Sequence, residues 1–354
     1  MVLFKEKKSL IFKDAKWLGP LADPPGGAPV CRDAILEQMA GFESGVFTGG
    51  QGRNLFIYGL PGTGKTVLVR YLLSEIRKHA EETGARVRAA YVNAGKTRGP
   101  YYTMLELTRQ LGIDAPDSGW QMSRLKQAFE NVLREGPIVV AVDEVDALLL
   151  KEKEPLVYYL CRQPGVSLIL VSNRILDVTG LPARTLSTLQ PKIVCLEPCS
   201  VGETVKILRE RAEHAFNSGA VEDKRLEEIA GAVGKPGDLR LGLSMLLAAA
   251  EHAEEAGRGA IGPEDVEWAV KSQVQIEDLK RIDALSKRLR KKYRLTADDP
   301  RLQGIRLRAR RIPSVSVQLS QRVLGHNAED CTPIIPSSST KVSSIGARKD
   351  EQGV

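Results

Sequence analysis

The residues with the clearest capacity for chemistry form a glycine-rich stretch at positions 59–66. The stretch reads G-L-P-G-T-G-K-T and satisfies G-x-x-x-x-G-K-S/T, the pattern of a phosphate-binding loop. Glycines in such a loop let the backbone wrap a phosphate chain without clashes of Cβ atoms, and the loop N–H groups then face the anion. The pattern therefore predicts that this chain binds a nucleoside triphosphate.

Two side chains of the loop have individual roles. Lys65 would reach the β- and γ-phosphates, and the Thr66 hydroxyl would bind Mg²⁺. The predicted cofactors are therefore ATP or ADP together with Mg²⁺, which Thr66 and Asp143 would hold. The complete predicted cofactor-binding set consists of Gly59, Leu60, Pro61, Gly62, Thr63, Gly64, Lys65, Thr66 and Asp143.

A second signature is the acidic pair Asp143-Glu144, which follows the apolar run from Ile138 to Val142. Acidic residues at the carboxyl end of a parallel strand face the crevice in which ligands bind. We expect Asp143 to hold Mg²⁺ through its water shell and Glu144 to polarise the attacking water as general base. The pair favours nucleotide hydrolysis over simple nucleotide binding. The alternative interpretation is a strand that ends at a solvated acidic turn, which would have the same sequence.

Three further polar residues are candidates for the reaction. Asn173 ends the next apolar run and could orient water between Glu144 and the γ-phosphate, or be an ordinary turn asparagine. Arg240 lies near the start of a helix later in the chain, where it would bind the γ-phosphate. Loss of that phosphate would then allow a helical lid to move. Arg184 lies in a predicted loop and is a candidate arginine finger for a neighbouring subunit, a role for which Arg174 competes. A surface arginine is the alternative interpretation of Arg240 and Arg184.

Alternating strands and helices must position these residues. Short apolar runs predict five strands, at 54–58, 87–93, 138–142, 168–171 and 193–196. The segments between them have helical composition, and this alternation favours right-handed βαβ units and a parallel sheet. Beyond Pro198 the pattern predicts helices only, at 201–216, 224–233, 239–255 and 263–275. The predicted fold class is α/β, a parallel-sheet domain followed by a helical bundle.

Composition narrows the class of protein. The 354 residues are 42% hydrophobic, which supports a sizeable core and two or three domains. No stretch approaches the roughly 20 apolar residues of a membrane span, and the charged N-terminus lacks the apolar run of a signal peptide. The five cysteines form no C-x-x-C pair, which indicates free thiols in a reducing compartment. We therefore expect a cytoplasmic protein without a membrane partner.

The net charge of +7 is unevenly distributed. Residues 280–354 contain 17 basic and 7 acidic side chains, a net charge of +10 that leaves −3 for the first 279 residues. A basic segment of this kind is typical of nucleic-acid binding. A solvated or disordered basic tail is the alternative interpretation.

The ordered set of motifs resembles a known family. After the glycine-rich loop, V-V-A-V-D-E-V-D-A-L-L, V-S-N and G-D-L-R are similar to an AAA+ ATPase with its helical lid. The stretches Y-V-N, L-G-I-D-A-P-D-S-G-W and R-T-L-S-T-L-Q-P-K-I-V narrow the resemblance to the archaeal replication initiators. That family joins the origin-recognition complex subunit and the cell-division-control helicase loader. Pro29 to Asp33 resembles its adenine-side segment, and the resemblance covers roughly residues 10–275.

The resemblance implies a slow ATPase that is switched by ATP binding and hydrolysis. Such a protein would bind double-stranded origin DNA, assist loading of the replicative helicase and form homo- or hetero-oligomers with other initiator subunits. Two alternatives stay open at this point. One is an ATP-switched protein-interaction paralogue that reads no DNA, and the other is a different AAA+ machine, such as a clamp-loader subunit or a remodelling ATPase.

The predicted domains follow from these patterns. Residues 1–197 form the AAA+ nucleotide-binding domain and 198–275 the helical lid. Family members continue with a winged-helix DNA-binding domain, but residues 276–325 are few and unusually arginine-rich, so this module is shortened, divergent or absent. Residues 326–354 are rich in Ser, Thr, Pro and charge, and we expect a disordered tail.

Overall fold

A computed structural model describes residues 9–19, 22–50, 52–152, 155–175, 181–233 and 237–273. The chain divides into two units, Met1–Gln273 and Val274–Val354. The predicted basic region at 276–325 and the predicted tail at 326–354 lie outside the described residues. The fold below is that of the first unit.

A five-stranded sheet forms the centre of this unit. Its strands are β1 (Leu55–Gly59), β2 (Arg88–Asn93), β3 (Ile138–Asp143), β4 (Val166–Ser172) and β5 (Lys192–Leu196). They lie in the order β2-β3-β4-β1-β5, and every neighbouring pair is parallel. This confirms the predicted parallel sheet. Because the strands are parallel, the carboxyl ends of β1, β3 and β4 meet at one edge.

Helices cover both faces of the sheet. They are α1 (Asp33–Glu43), α2 (Lys65–Thr83), α3 (Pro100–Gln110), α4 (Met122–Leu133), α5 (Val145–Glu152), α6 (Pro155–Cys161) and α7 (Ala183–Leu189). Alternate strand residues face two cores: Phe56 packs with α3, α4 and α6, whereas its neighbour Leu55 packs with α1 and α2. Strands β3 and β4 are buried along their whole length, and their sequences are mostly apolar, as expected of strands covered on both faces.

A bundle of helices follows the sheet and forms the lid. It contains α8 (Val201–Ala215), α9 (Asp223–Val233), α10 (Leu239–Glu255) and a helix α11 at 263–273. The predicted capping box at the start of α8 is confirmed. The Glu203 N–H donates to the Ser200 hydroxyl (3.2 Å), and the Ser200 N–H donates to the Glu203 carboxylate (2.8 Å).

The first described residues pack on the lid. Ile11 and Leu18, the latter at the end of the short 3₁₀ helix Ala15–Leu18, belong to the core of the lid helices. The buried guanidinium of Arg211 in α8 donates to the carbonyls of Trp17, Ala22 and Asp23 at 3.2, 3.0 and 2.7 Å. The sequence grouped this segment with the sheet domain, because its contacts to the lid join residues almost two hundred positions apart.

A second 3₁₀ helix, Ser44–Thr48, links α1 to the strand that begins at Leu55.

In the described ranges no helix combines the length and apolar character that a membrane span requires. Among the same residues the cysteines are free thiols, namely Cys31, Cys161, Cys195 and Cys199.

Candidate nucleotide-binding site

The glycine-rich loop joins β1 to α2 at the edge of the sheet where the strands end. Gly62 and Gly64 have φ angles of 81° and 88°, in the left-handed region that favours glycine. A Cβ at Gly59 would overlap the Leu196 carbonyl oxygen, and a Cβ at Gly62 would overlap the Asp238 carboxylate. Gly64 is the N-cap of α2, so the free N–H groups of that helix face the loop. The glycines therefore form a cradle of the kind that binds phosphates.

Lys65 is folded back onto the loop. Its side chain is buried, and Nζ donates to the carbonyls of Gly59 and Leu60, both at 2.8 Å. Burial lowers the pKa of Lys65 to about 8, while the Asp143 carboxylate raises it and the charge of Arg240 lowers it further. A phosphate group would supply the negative charge that keeps this ammonium protonated.

The other loop residues shape the backbone. Thr63 is buried, and its hydroxyl donates to the Leu60 carbonyl at 2.9 Å. The side chains of Leu60 and Pro61 are exposed. The Thr63 N–H donates to the same Leu60 carbonyl at 3.4 Å, so both polar groups of Thr63 hold the turn that begins at Leu60.

Asp143 ends β3 and is the best-connected carboxylate of the site. It is 3% exposed, and its Oδ2 accepts hydrogen bonds from the Thr66 hydroxyl (2.6 Å) and the Tyr91 hydroxyl (2.8 Å). Oδ1 accepts the Glu144 N–H at 2.8 Å. Mg²⁺ prefers oxygen ligands and is usually held by one or two protein groups together with substrate phosphates. The donor set of Thr66 and Asp143 fits that ion.

Glu144 follows in an unusual backbone conformation. Its φ of 51° is rare for a residue with a side chain, and such conformations cluster at functional sites. The exposed carboxylate accepts a hydrogen bond from the Asn93 amide at 3.3 Å and lies where a Cβ of Gly95 would be. Asn93 and Gly95, which sequence reasoning missed, thus place the predicted general base beside Asp143.

Asn173 lies at the same edge of the sheet. Its backbone N–H donates to the Asp146 carboxylate in α5 at 3.1 Å, and the Ser172 hydroxyl donates to the same carboxylate at 2.9 Å. Asp146, three residues after Asp143, therefore ties the end of β4 to the turn that carries the acidic pair. The Asn173 side chain is exposed.

The lid brings Arg240 to the loop. Asp238 caps α10, because its Oδ1 accepts the Arg240 N–H at 3.0 Å, and its carboxylate lies against Gly62. The charge of Arg240 is close enough to contribute to the lowered pKa of Lys65. The structure therefore brings together the predicted residues of the loop, the acidic pair and the lid.

The prediction that Arg184 lies in a loop is wrong. It is in the first turn of α7, and its exposed guanidinium lies 5.0 Å from the ring centroid of Tyr158 in α6. Arg174, its competitor, is exposed at the end of β4, where its N–H donates to the Ser172 hydroxyl at 2.8 Å. The finger role of either arginine concerns a second subunit and stays a prediction.

Arg32 is a further residue that sequence reasoning did not single out. Its Nη2 donates to the Thr63 carbonyl (3.4 Å), the Glu197 carbonyl (3.1 Å) and the Cys199 Sγ (3.0 Å). One guanidinium thus joins the phosphate loop to the segment that leads from β5 into the lid. By binding the Thr63 carbonyl, it restricts the conformation of the phosphate loop.

A glycine-rich loop after β1, an acidic pair after β3 and an arginine-bearing helical lid define an ATPase of the AAA+ class. The family described as "AAA ATPase domain" matches residues 28–171, and the family "Cdc6 AAA+ ATPase-type lid domain" matches residues 205–271. Together the two matches cover more than half of the chain. The chain belongs to the archaeal Orc1/Cdc6-type family of AAA+ ATPases, and this confirms the resemblance.

Curated relatives agree with this assignment. An ORC1-type DNA replication protein of Desulfurococcus amylolyticus is 30% identical over 234 residues, which cover 64% of this chain and 59% of the relative. The ORC1-type DNA replication protein 1 of Sulfurisphaera tokodaii is 31% identical over 255 residues, covering 70% and 63%. The chain thus spans less than two thirds of the length of these relatives.

Solved structures confirm the fold. The Aeropyrum pernix ORC1 protein, solved in complex with DNA, superposes with a TM-score of 0.69 at 24% identity and covers 89% of each chain. Cdc6p from Pyrobaculum aerophilum gives a TM-score of 0.63 at 22% identity, covering 73% of this chain and 71% of that one.

Proposed function

We propose that this chain is an ATP-dependent replication initiator, which binds double-stranded origin DNA and assists loading of the replicative helicase. ATP binding and slow hydrolysis would switch it between states. The observation that carries the proposal is the hydrogen bond from Thr66, at the end of the phosphate loop, to Asp143 at the end of β3. This site lies in a chain whose helical lid matches the Cdc6 type. Loop, acidic pair and lid are the parts that a nucleotide switch needs.

The nucleotide chemistry is divided among the residues described above. Lys65 and the loop N–H groups would bind the phosphates, and Thr66 and Asp143 would hold Mg²⁺, an ion that supplies positive charge to phosphates when bound. Glu144 accepts a proton from the attacking water, and Asn173 orients that water. Arg240 contacts the γ-phosphate, so the loss of that group releases the lid. Arg184 of a neighbouring subunit would complete the site in an oligomer.

DNA binding is supported by two independent observations. The curated relatives carry the name ORC1-type DNA replication protein, and the Aeropyrum pernix ORC1 structure contains DNA. Residues 280–354 of this chain carry a net charge of +10. Basic side chains that contact phosphates give affinity that falls steeply with salt, and they position a protein without reading sequence.

A duplex-DNA binding assay of the full chain over a series of salt concentrations tests this proposal. The informative variant replaces arginines of the dense run at 306–311, which lies outside the described residues, with glutamine. We expect weaker binding and a smaller slope of log K against log salt, by about one for each arginine that contacts a phosphate. The substituted residues are Arg306, Arg308, Arg310 and Arg311.

A control variant removes the same charge from exposed lysines of the first unit. These are Lys78, Lys192, Lys206 and Lys224. If both variants lower the affinity equally, the effect is one of net charge, and the C-terminal region is not a DNA-binding module. If the unmodified chain does not bind duplex DNA at low salt in the presence of either ATP or ADP, the initiator proposal fails. The protein-interaction switch or another AAA+ machine then becomes the better interpretation.

A further inference from the structure

Tyr91 makes a hydrogen bond that the proposed reaction does not yet use. It lies on β2, and its hydroxyl donates to Oδ2 of Asp143 at 2.8 Å. The Thr66 hydroxyl donates to the same oxygen at 2.6 Å, while Oδ1 accepts the Glu144 N–H. The carboxylate is therefore held by three donors from three different parts of the chain.

The direction of these hydrogen bonds decides where a cation can bind. Because Thr66 gives its hydrogen to Asp143, the lone pairs of its oxygen are left free to bind a cation. The orientation of the Thr66 hydroxyl depends on the position of Oδ2, which the Tyr91 hydroxyl also contacts. The phenol of Tyr91 has one O–H hydrogen, which it donates to Oδ2 of Asp143.

We propose that Tyr91 is a positioning residue for Mg²⁺: its hydroxyl fixes the Asp143 carboxylate, and the carboxylate in turn orients Thr66 toward the ion. The inference rests on the proposed function, in which Thr66 and Asp143 hold Mg²⁺. Groups that orient the residues around a metal strongly affect metal affinity, commonly by 10- to 100-fold. The competing explanation is that the Tyr91 hydroxyl only stabilises the fold.

The test is Tyr91→Phe in the full chain, since this change removes one oxygen and keeps the ring. Binding of a fluorescent ADP analogue is measured by titration with Mg²⁺ and again with EDTA. We expect affinity in EDTA to stay within about twofold of the original protein and the Mg²⁺ concentration for half-maximal enhancement to rise about 10-fold. Thermal unfolding without nucleotide reports any effect on the fold.

Tyr159→Phe is the matched control. The Tyr159 hydroxyl in α6 also donates to a carboxylate, that of Glu130, at 2.9 Å. Both variants lose the same kind of hydrogen bond, but only Tyr91 contacts Asp143. We expect Tyr159→Phe to leave the Mg²⁺ dependence unchanged, and an equal shift in both variants would overturn the inference.

Thr66→Ala separates the inference from the function on which it rests. If Thr66→Ala removes the enhancement by Mg²⁺ but Tyr91→Phe does not change it, the role of Tyr91 is refuted and the proposed metal site stands. If Thr66→Ala also keeps the full enhancement, the proposed metal site itself fails. A lower unfolding temperature for Tyr91→Phe with unchanged Mg²⁺ dependence would establish the structural explanation instead.

Discussion

The carboxylate of Asp238 in the lid lies against Gly62 in the phosphate loop, so closely that a Cβ at Gly62 would overlap it. Asp238 also caps the helix that carries Arg240. The residue of the lid that contacts the phosphate loop is therefore acidic. Bound phosphates would add further negative charge close to this carboxylate. This contact makes the position of the lid sensitive to what the loop binds.

Gly62→Ala should disturb nucleotide binding more than stability. The left-handed φ of 81° costs an alanine about 1 kcal/mol, and its Cβ would also displace Asp238. Gly84→Ala is the control, because Gly84 has a φ of 68° with nothing near its Cβ. We expect both variants to lose unfolding free energy, Gly62→Ala somewhat more because of the overlap with Asp238, and weaker ADP binding only in Gly62→Ala. Unchanged ADP binding in Gly62→Ala would show that the lid contact does not matter.

Glu144→Gln should separate binding from turnover. The substitution keeps the size of the side chain and removes its ability to accept a proton, so we expect ATP affinity to be retained. Hydrolysis should fall by about 10²–10⁴-fold, measured as phosphate release. Glu135→Gln is the control, since Glu135 is exposed and pairs with Arg88 at 2.5 Å. Equal hydrolysis by Glu144→Gln and the original chain would refute the assigned base.

Glu43 gives the fold a dependence on pH. It is 1% exposed, and neither carboxylate oxygen has a hydrogen-bond partner among the described residues. Ser167 lies beside it, but its hydroxyl donates to the Arg53 carbonyl at 3.1 Å. Burial raises the pKa of Glu43 to about 7 from an ordinary value of 4.5, and the neighbouring Ser167 only partly offsets this. The folded protein therefore binds this proton more tightly than the unfolded chain does.

The sign of the effect follows from that difference. The contribution of Glu43 to stability is full below pH 4.5 and is lost as pH rises toward 7. Glu43→Gln changes the free energy of unfolding, and this change should be more favourable to the folded state at pH 8 than at pH 5, by up to about 3 kcal/mol. Urea unfolding of both proteins at the two pH values measures this difference. An identical effect at pH 5 and pH 8 would show that Glu43 is not buried as a neutral acid.

The sequence predicted the elements whose signals are local. The strands were visible as apolar runs, the phosphate loop as a motif, and the helix starts at Ser200 and Asp238 as capping residues. Helices α5, α6 and α7 were missed because seven or eight residues are too few to show a helical period. For the same reason Arg184 was assigned to a loop.

The site was predictable only in part, for a different physical reason. Lys65, Thr66, Asp143 and Glu144 belong to short patterns that carry their own chemistry. Tyr91 belongs to the Y-V-N stretch that contributed to the resemblance, but it is 52 residues from the carboxylate that it contacts, so no local pattern shows what its hydroxyl binds. Long-range partners of this kind become visible only when the sheet aligns β2 with β3.

Arg32→Gln provides a last test of how the loop is held. Its guanidinium is the donor that joins the Thr63 carbonyl to Glu197 and Cys199, and glutamine is too short to make all three contacts. We expect ADP affinity to fall about 10-fold, because hydrogen bonds from charged groups contribute about 1.5–3 kcal/mol. The unfolding temperature should fall by no more than it does in the control variant, which also loses a guanidinium bound to the main chain.

Arg77→Gln is the matched control for this substitution. Arg77 also binds a backbone carbonyl, that of Ala89 at 3.2 and 2.9 Å through Nε and Nη2, but it lies on the later part of α2, away from the loop. Both variants lose a guanidinium bound to the main chain, so a shared loss of affinity would point to general destabilisation. A loss confined to Arg32→Gln would establish that the connection between loop and lid supports nucleotide binding, since that connection is what distinguishes the two arginines.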